Sequence, residues 1–256
     1  MKASIVIANY NNSNFINDCI NSLNSQTYKD IEIIFFDDNS IDNSIDVIKK
    51  FNDVKVIQNK IQTKFGSLNQ MNAFKRCIEL SVGDVIFFLD SDDYFRKDKV
   101  EKVISFFLKN EKKKIVFDFP IILKENERFN IKNNKNFLNT YWGYIHPTSC
   151  ISIKKEFISE VFDKTLNDKF TDIWLDIRVL LFSKYFNQYN TINENLTFYR
   201  QLEGNISSKF KKFTKTWWKR RNEAHDYFFH FTKTNNLNVK KNLDFYITKF
   251  INNFIK

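Results

Sequence analysis

Short runs of consecutive apolar residues alternate with segments of helical period through the first 120 or so residues of this chain. Strands that are apolar at every position are buried on both faces, which is typical of a parallel sheet covered by helices. The alternation therefore predicts an α/β fold with a Rossmann-like, mostly parallel central sheet flanked by helices. The expected strands are Ala3–Ala8, Ile31–Phe36, Val54–Ile57, Asp84–Leu89 and Ile115–Phe119, and the expected helices are Asn14–Ser25, Ile41–Phe51, Leu68–Leu80 and Lys97–Lys109.

The pattern changes after these elements, where polar loops rich in asparagine and lysine separate shorter segments. The remaining apolar runs predict a strand at Cys150–Ile153, a helix at Thr171–Lys184, and strands at Asn187–Ile192 and Leu196–Tyr199. The rest of the chain is basic and aromatic and has helical character.

The change in composition also suggests how the chain is divided. We expect one domain over residues 1–208, with a first half at 1–95 and a second half at 96–208. Residues 209–256 should form a basic, aromatic, helical C-terminal extension of that domain.

The chain carries a formal net charge of +10, with 40 Lys and Arg against 30 Asp and Glu. A basic balance suits polyanionic partners, which include nucleic acid, an anionic membrane surface and a phosphorylated substrate. The charge alone does not choose among them.

Targeting and redox signals are sparse. The cysteines Cys19, Cys77 and Cys150 are far apart and form no CxxC motif, which predicts buried free thiols rather than a zinc site or a disulfide framework. No cationic-then-apolar leader opens the sequence, and no apolar run approaches the ~20 residues that span a bilayer. We therefore expect a cytoplasmic protein, with peripheral contact to the inner face of the plasma membrane as an open alternative.

Acidic clusters follow two of the predicted strands. Asp37 and Asp38 end one of them, and Asp90, Asp92 and Asp93 end another. Because the carboxyl ends of parallel strands meet at one edge of a sheet, the two clusters should converge in one cleft. Carboxylates crowded in this way repel one another unless a cation is present, and oxygen ligands favour Mg²⁺ or Mn²⁺.

Each cluster also has a plain structural interpretation when it is taken alone. Asp92 or Asp93 can cap the following helix, and Asp42 can cap the helix before Ile45. Neither a GxGxxG fingerprint nor a GxxxxGK[ST] loop is present in the sequence. A bound phosphate would therefore need a metal ion and side chains in place of a glycine-rich cradle.

Three segments together resemble the family 2 glycosyltransferases of the GT-A fold. They are IVIANYNN, CINSLNSQTYKDIEIIFFDDNSIDNS and FFLDSDD, and the likeness is strong over residues 3–95 and weaker to about residue 205. The turn has Asn39 where the family usually has glycine, and asparagine tolerates the left-handed backbone conformation that such a turn needs.

The resemblance implies a nucleotide-sugar donor and a role for each matching residue. Asp37 would accept a hydrogen bond from the nucleotide base, Asp90 would meet the ribose, and Asp92 would bind the Mn²⁺ or Mg²⁺ that bridges the diphosphate. The residues implied to bind the nucleotide sugar are Ala8, Tyr10, Asp37, Asn72, Asp90, Ser91 and Arg200.

The segment from Phe170 to Arg178 resembles the acidic motif of the family that supplies the general base. In that register Asp172 is the candidate base, at the start of the predicted helix, where the helix dipole would stabilise its anion; simple helix capping is the alternative. Asp176 and Arg178 could form a supporting ion pair. The candidate acceptor-binding residues are His146, Trp174 and Arg178.

The sequence thus predicts an inverting glycosyltransferase that moves a sugar from a nucleotide diphosphate-sugar, such as a UDP-sugar, to a glycan or lipid-linked glycan in bacterial cell-surface polysaccharide or lipooligosaccharide synthesis. A sugar nucleotidyltransferase is one alternative, although the glycine-rich N-terminal loop of that class is missing. A non-catalytic nucleic-acid-binding protein is another, although the strand ends are acidic, so we expect no nucleic-acid partner.

The C-terminal segment Trp217–Arg221 reads WWKRR and has two interpretations. Its indoles and cations could rest on an anionic membrane, or the helix could pack its tryptophans onto the preceding domain. Both interpretations remain open on the sequence.

Overall fold

The computed structural model describes residues 1–124, 127–130, 140–201 and 212–255. Within these ranges the strands are β1 (Ala3–Asn9), β2 (Ile31–Asp37), β3 (Val54–Gln58), β4 (Val85–Asp90), β5 (Tyr94–Phe95), β6 (Ile115–Lys124), β7 (Glu127–Asn130), β8 (Ile151–Lys154) and β9 (Thr191–Arg200). The helices are α1 (Ser13–Asn24), α2 (Ser44–Ile48), α3 (Gly66–Leu80), α4 (Lys99–Lys109), α5 (Lys155–Thr165), α6 (Leu175–Tyr185), α7 (Lys215–Thr234) and α8 (Leu243–Phe254).

The strands form one sheet in the order β3-β2-β1-β4-β8-β6-β9-β5, with β7 added beside β6. Strands β3, β2, β1 and β4 pair in parallel, as the sequence predicts. Beyond β4 the sheet is mixed, because β8 runs antiparallel to both β4 and β6 while β6 and β9 are parallel. The α/β class with flanking helices is confirmed, and parallel pairing belongs mainly to the first half.

Helices cover both faces of the sheet, and successive residues of β1 show how. Val6 enters a core shared with α3, α6 and α7, whereas Ile5 and Ile7 enter a second core shared with α1 and α4. Alternation of side chains along a strand sends neighbours to opposite faces. Because both faces are buried, the positions of β1 from Ala3 to Ala8 are all apolar or small.

The cysteines support the same two-layered core. All three are buried and have free thiols. Burial raises the pKa of Cys77 to about 12. These thiols therefore stay protonated and pack as small apolar groups, as the sequence predicts.

Several elements differ from the sequence prediction: α2 is shorter than expected, β6 continues to Lys124, and α5 was not predicted. Two further differences bear on the site. The two short strands expected between residues 187 and 199 are the single strand β9, which pairs with β6 through a bulge near Phe119. The helix expected from Thr171 begins instead at Leu175, with Trp174 as its extended N-cap. Hydrophobic period locates the helix, but contacts made by the preceding turn decide where it starts.

The C-terminal helices differ in how deeply they are buried. Helix α7 contributes Tyr227, Phe228 and Phe231 to the core that also contains α3 and α6. Helix α8 packs against α7 and leaves large apolar side chains exposed. Among the described residues no helix is both long and apolar enough to cross a bilayer. The boundary predicted at residue 208 lies outside the described residues.

Candidate active site

Strand register brings the two acidic clusters to one edge of the sheet. Ala8 in β1 is level with Asp90 in β4, and Asn9 in β1 is level with Asp37 in β2. The pairing is parallel, so the chain leaves all three strands on the same side. The two acidic turns therefore meet at the carboxyl edge of β2, β1 and β4, which is where the sequence predicts the cleft.

Asp37 organises the turn that follows β2. The side-chain amide of Asn9 donates to Asp37 Oδ1 at 2.7 Å, and the hydroxyl of Ser40 donates to the same oxygen at 2.6 Å. Asn39 adopts the left-handed conformation at φ 56°, which confirms its predicted role in place of glycine. Asp38 is held in turn by the side chain of Asn59 at 2.7 Å. Hydrogen bonds thus hold both carboxylates of the turn after β2 in place.

The turn after β4 holds the second acidic cluster. The side-chain amide of Gln70 in α3 donates to Asp90 Oδ1 at 2.8 Å. Ser149 accepts from the Asp90 backbone N–H at 3.0 Å and donates to Asp93 Oδ2 at 2.6 Å. One hydroxyl therefore joins the two ends of the acidic turn.

The carboxylates of this turn strongly affect one another. Burial, together with the negative charge of Asp92, raises the pKa of Asp90 to about 7. Burial and the charges of Asp92 and Asp90 raise the pKa of Asp93 as well. Several carboxylates thus crowd one another at this turn, which is the electrostatic condition that favours a cation.

Arg200 closes the cluster from β9. Its backbone N–H donates to Asp93 Oδ1 at 2.9 Å, and its guanidinium donates to the carbonyl oxygen of Asp92 at 2.7 Å. The guanidinium also stacks over Tyr94 and Phe15, with ring centroids at 4.8 and 5.0 Å. The structure therefore places Arg200 at the acidic turn, where a bound diphosphate would meet its positive charge.

The other residues predicted to bind the donor are divided between the cleft and the solvent. Ala8 lies beside Asp90 in the sheet, Ser91 is buried and bonded to Asn12 at 3.0 Å, and Tyr10 is 49% exposed at the rim. Asn72 is exposed, on the opposite face of α3 from Gln70, because two residues are about 200° apart on a helix. Gln70, and not Asn72, is the residue of α3 that contacts Asp90, and the contact of Asn72 with a nucleotide stays a prediction.

The donor set of the acidic turn fits a hard divalent cation. Among the described residues no cluster of three or more His, Cys, Asp or Glu side chains could hold a metal alone. Mg²⁺ is usually bound by only one or two carboxylates and completed by substrate phosphates and water. Asp90 and the half-buried Asp92 stand at the same turn and carry carboxylate oxygens of the type that such a cation prefers.

A cavity of about 250 Å³ lies on the second-half side of the site. Its lining includes Pro120, Tyr144, Pro147, Asp176, Tyr199 and Gln201. Asp176 is in the first turn of α6, and its charge contributes to the raised pKa of Asp90, so the two carboxylates interact. Burial raises the pKa of Asp176 itself, an effect that Arg220 of α7 opposes.

Asp172 lies apart from this cavity. It is exposed in the turn before α6, and its backbone N–H donates to Glu223 of α7 at 3.1 Å. The expectation that Asp172 sits in the first helical turn is wrong, because that position belongs to Asp176. Trp174 is half-buried as the N-cap residue of α6.

Arg178 explains why α6 begins late. The guanidinium is fully buried and donates to the backbone carbonyls of Thr165, Asn167, Phe170 and Ile173, at 2.7 to 3.2 Å. The chain before α6 wraps around this cation instead of continuing the helix. Burial with these partners makes Arg178 a structural residue, which corrects both its predicted contact with an acceptor and its predicted pairing with Asp176.

Replacing Arg178 with methionine should therefore lower the free energy of unfolding by about 3 kcal/mol or more, because four buried carbonyls would lose their donor. Urea unfolding followed by circular dichroism measures the change. The control is Arg76→Met, since Arg76 is exposed and pairs with Glu79 on the helix surface. This substitution should cost less than about 1 kcal/mol. If Arg178→Met kept the stability of the parent chain but bound an acceptor more weakly, the sequence-based prediction that Arg178 binds the acceptor would stand.

His146 is likewise built into the fold. One ring nitrogen bonds the carbonyl oxygen of Asp118 at 2.8 Å, and the other bonds the hydroxyl of Tyr189 at 3.0 Å. Burial lowers the pKa of His146 to about 4, so the ring is neutral near pH 7. With 1% of its surface exposed, it supports the cavity wall rather than contacting an acceptor directly.

The buried network behind the acidic turn could not be recognised from the sequence. Lys99 Nζ pairs with Asp118 at 2.8 Å and donates to the carbonyl oxygen of Ser149 at 2.6 Å. Ser149 in turn bonds Asp90 and Asp93. Helical period places Gln70 on the same face of α3 as the buried Ser67 and could have identified it, whereas no local pattern marks Ser149.

Comparison with known proteins agrees with this architecture. The model of glycosyl transferase family 2 matches residues 4–181, and the chain belongs to that family. It adopts the GT-A fold of such enzymes. A solved structure, Staphylococcus aureus TarS 1–349 in complex with UDP, superposes with a TM-score of 0.66 at 13% identity, covering 100% of this chain and 70% of that one.

The matches to relatives found by sequence cover a smaller share of each relative's own length. An uncharacterized glycosyltransferase, alr2836 of Nostoc sp., is 28% identical over 213 residues, which are 78% of this chain and 65% of the relative. The Escherichia coli UDP-Glc:alpha-D-GlcNAc-diphosphoundecaprenol beta-1,3-glucosyltransferase WfaP is 38% identical over 116 residues, 45% of this chain and 44% of its own. The chain thus spans less than two thirds of these relatives.

Proposed function

We propose that this protein is an inverting, metal-dependent glycosyltransferase that moves a sugar from a UDP-sugar to a glycan or lipid-linked glycan acceptor in bacterial cell-surface polysaccharide synthesis. The observation that carries the proposal is the placement of Asp37, Asp90 and Asp92 on one sheet edge, beside a cavity that contains Asp176. The matching family and the UDP bound to TarS support it.

The donor would lie across the carboxyl edge of β2, β1 and β4. The base would fit over the Asp37 turn, where exposed Tyr10 offers a stacking surface, and the ribose would meet Asp90. The diphosphate would approach Arg200, whose guanidinium lies on the acidic turn. Each group therefore meets a side chain of suitable charge or shape.

A divalent cation, Mn²⁺ or Mg²⁺, would be held by Asp92 with Asp90 beside it. When bound, it would neutralise charge on the departing nucleoside diphosphate. The protein's own part is to position the acidic turn: Gln70 donates to the carboxylate of Asp90, and the backbone N–H of Asp90 donates to Ser149.

The acceptor would enter the cavity formed by the second half of the domain. Tyr144 and Tyr199 provide flat, amphipathic walls of the kind on which a sugar ring can stack. Asp176 would take the proton from the attacking hydroxyl, since it is the acidic residue in this lining and lies close enough to Asp90 for their charges to interact. Asp172, which the family motif favours, remains the competing candidate.

Isothermal titration with UDP, in the presence and absence of Mn²⁺, tests the donor site. We expect a Kd between about 1 μM and 1 mM with the metal, and much weaker binding after chelation, because a cation held by the acidic turn would offset the negative charge of the diphosphate. A single-stranded oligonucleotide serves as the control ligand. Binding of the oligonucleotide but not of any nucleotide-metal complex would reject the proposal in favour of a nucleic-acid-binding protein.

A further inference from the structure

Helix α8 carries a continuous apolar stripe that faces solvent. It consists of Leu243, Tyr246, Ile247, Phe250 and Phe254, and we call it the α8 stripe. Spacings of three and four residues place these side chains on one face of the helix. Leu243, Phe250 and Phe254 are 73%, 64% and 75% exposed. Single exposed apolar residues are ordinary, but a row along one helix face marks a binding surface.

The same helix is attached to the protein by its other face. Asp244 and Thr248 are buried against α7, and Asp244 pairs with Arg221 of that helix. The side-chain amide of Asn252 donates to the carbonyl oxygen of Trp218 at 3.0 Å. Because these contacts hold α8 on α7, the stripe is presented outward by a folded support.

Positive charge surrounds the stripe. Residues 212–255 contain nine Lys and Arg against three Asp and Glu, which leaves +6 of the chain's net +10. Lys240 and Lys241 are exposed just before the helix, and Lys219 is exposed on α7 close to the Trp218 contact. An apolar stripe bordered by cations matches an anionic lipid surface, with lysines at the headgroups and apolar side chains beneath them.

The stripe is linked to the proposed acceptor side of the site. Tyr141 donates to the carbonyl oxygen of Lys240 at 3.0 Å and accepts from the backbone N–H of Asn242, at the start of α8. On α7, which supports α8, the charge of Arg220 acts on Asp176 in the cavity. Attachment through α8 would therefore hold the cavity near the surface on which a lipid-linked acceptor resides.

We propose that the α8 stripe is a docking surface for an anionic phospholipid bilayer, on which the helix lies in the plane of the interface. The sequence suggested Trp217–Arg221 as the segment that could contact a membrane. In the structure Trp217 is half-buried and Arg221 pairs with Asp244, so we place the membrane contact on α8 instead. Vesicle binding can be measured without a donor, so the proposal stands apart from the transfer reaction.

Cosedimentation with vesicles tests the docking surface. The full chain should bind vesicles containing phosphatidylglycerol and should bind pure phosphatidylcholine far less. The double variant Phe250→Ser/Phe254→Ser should bind about tenfold more weakly or worse, because binding scales with the apolar area buried in the interface. Lys219→Gln/Lys240→Gln should weaken binding to the anionic vesicles and reduce its dependence on salt.

The matched control is Leu80→Ser/Val82→Ser, which removes two exposed apolar side chains elsewhere, 53% and 64% exposed. It should bind vesicles like the parent chain, and thermal melting should show that every variant is folded. Failure of the parent chain to bind anionic vesicles, or equal loss in the control, overturns the proposal. Light scattering that shows a dimer split by Phe250→Ser/Phe254→Ser, with vesicle binding unchanged, also overturns it, since the stripe would then bind a second copy.

Discussion

Asp176→Asn should lower the rate of sugar transfer by about 10²–10⁴-fold, because it removes the carboxylate that would accept the proton of the acceptor hydroxyl. Asparagine keeps the size of the side chain and cannot take up that proton. Donor affinity should change little, since the proposed donor contacts lie on the Asp37 and Asp90–Asp92 turns. Steady-state transfer assays beside UDP titrations separate the two quantities, and kcat should fall without a matching change in donor Kd.

Asp172→Asn is the matched control for this experiment. The carboxylate of Asp172 is exposed before α6, whereas Asp176 lines the cavity, so the Asp172 variant should keep most of its rate. The reverse result, normal turnover in Asp176→Asn and loss in Asp172→Asn, would show that the family register identifies the base. It would also mean that the turn before α6 rearranges when an acceptor binds.

Asp92→Ala should weaken metal-dependent UDP binding by about 100-fold or more, because a Lewis-acid contact of this kind is worth several kcal/mol. The fold should not suffer. The charge of Asp92 raises the pKa of both Asp90 and Asp93, and removing it relieves that repulsion. Calorimetry with and without Mn²⁺ measures the binding, and thermal unfolding without ligand measures the stability.

Asp53→Ala provides the control for Asp92→Ala, since Asp53 is exposed and precedes β3, at the end of the strand remote from the cleft. It removes the same charge and should leave UDP binding unchanged. Equal binding by the Asp92 variant and the parent chain would show that Asp92 is not the metal ligand. A large fall in stability would instead show that Asp92 holds the turn together.

Several features of the site were predictable because they depend on order along the chain. Strands apolar at every position required a sheet buried on both faces, and parallel pairing then placed Asp37 and Asp90 on one edge. The resemblance of the first 95 residues to a known family named the same residues independently. The resemblance also named Arg200 for the donor site, and the structure places it beside the acidic turn, while its contact with a nucleotide sugar stays a prediction.

Other features required the tertiary structure because their partners are distant in sequence. Ser149 reaches Asp90 and Asp93 across more than fifty residues, and nothing around it distinguishes it from a loop serine. Arg178 occupies the arginine position of the family motif, yet in the structure its buried guanidinium donates to four backbone carbonyls. The sequence of α8 is amphipathic, but this pattern does not show that the apolar face is the one exposed to solvent.

The sequence by itself determined the α/β class, the family and the convergence of two acidic turns, since local period and strand direction are encoded in neighbouring residues. Only the tertiary structure decided which carboxylate of the α6 segment meets the cavity. The physical reason is that the buried Arg178 draws the preceding carbonyls around itself, which delays the start of the helix and places Asp176 in its first turn.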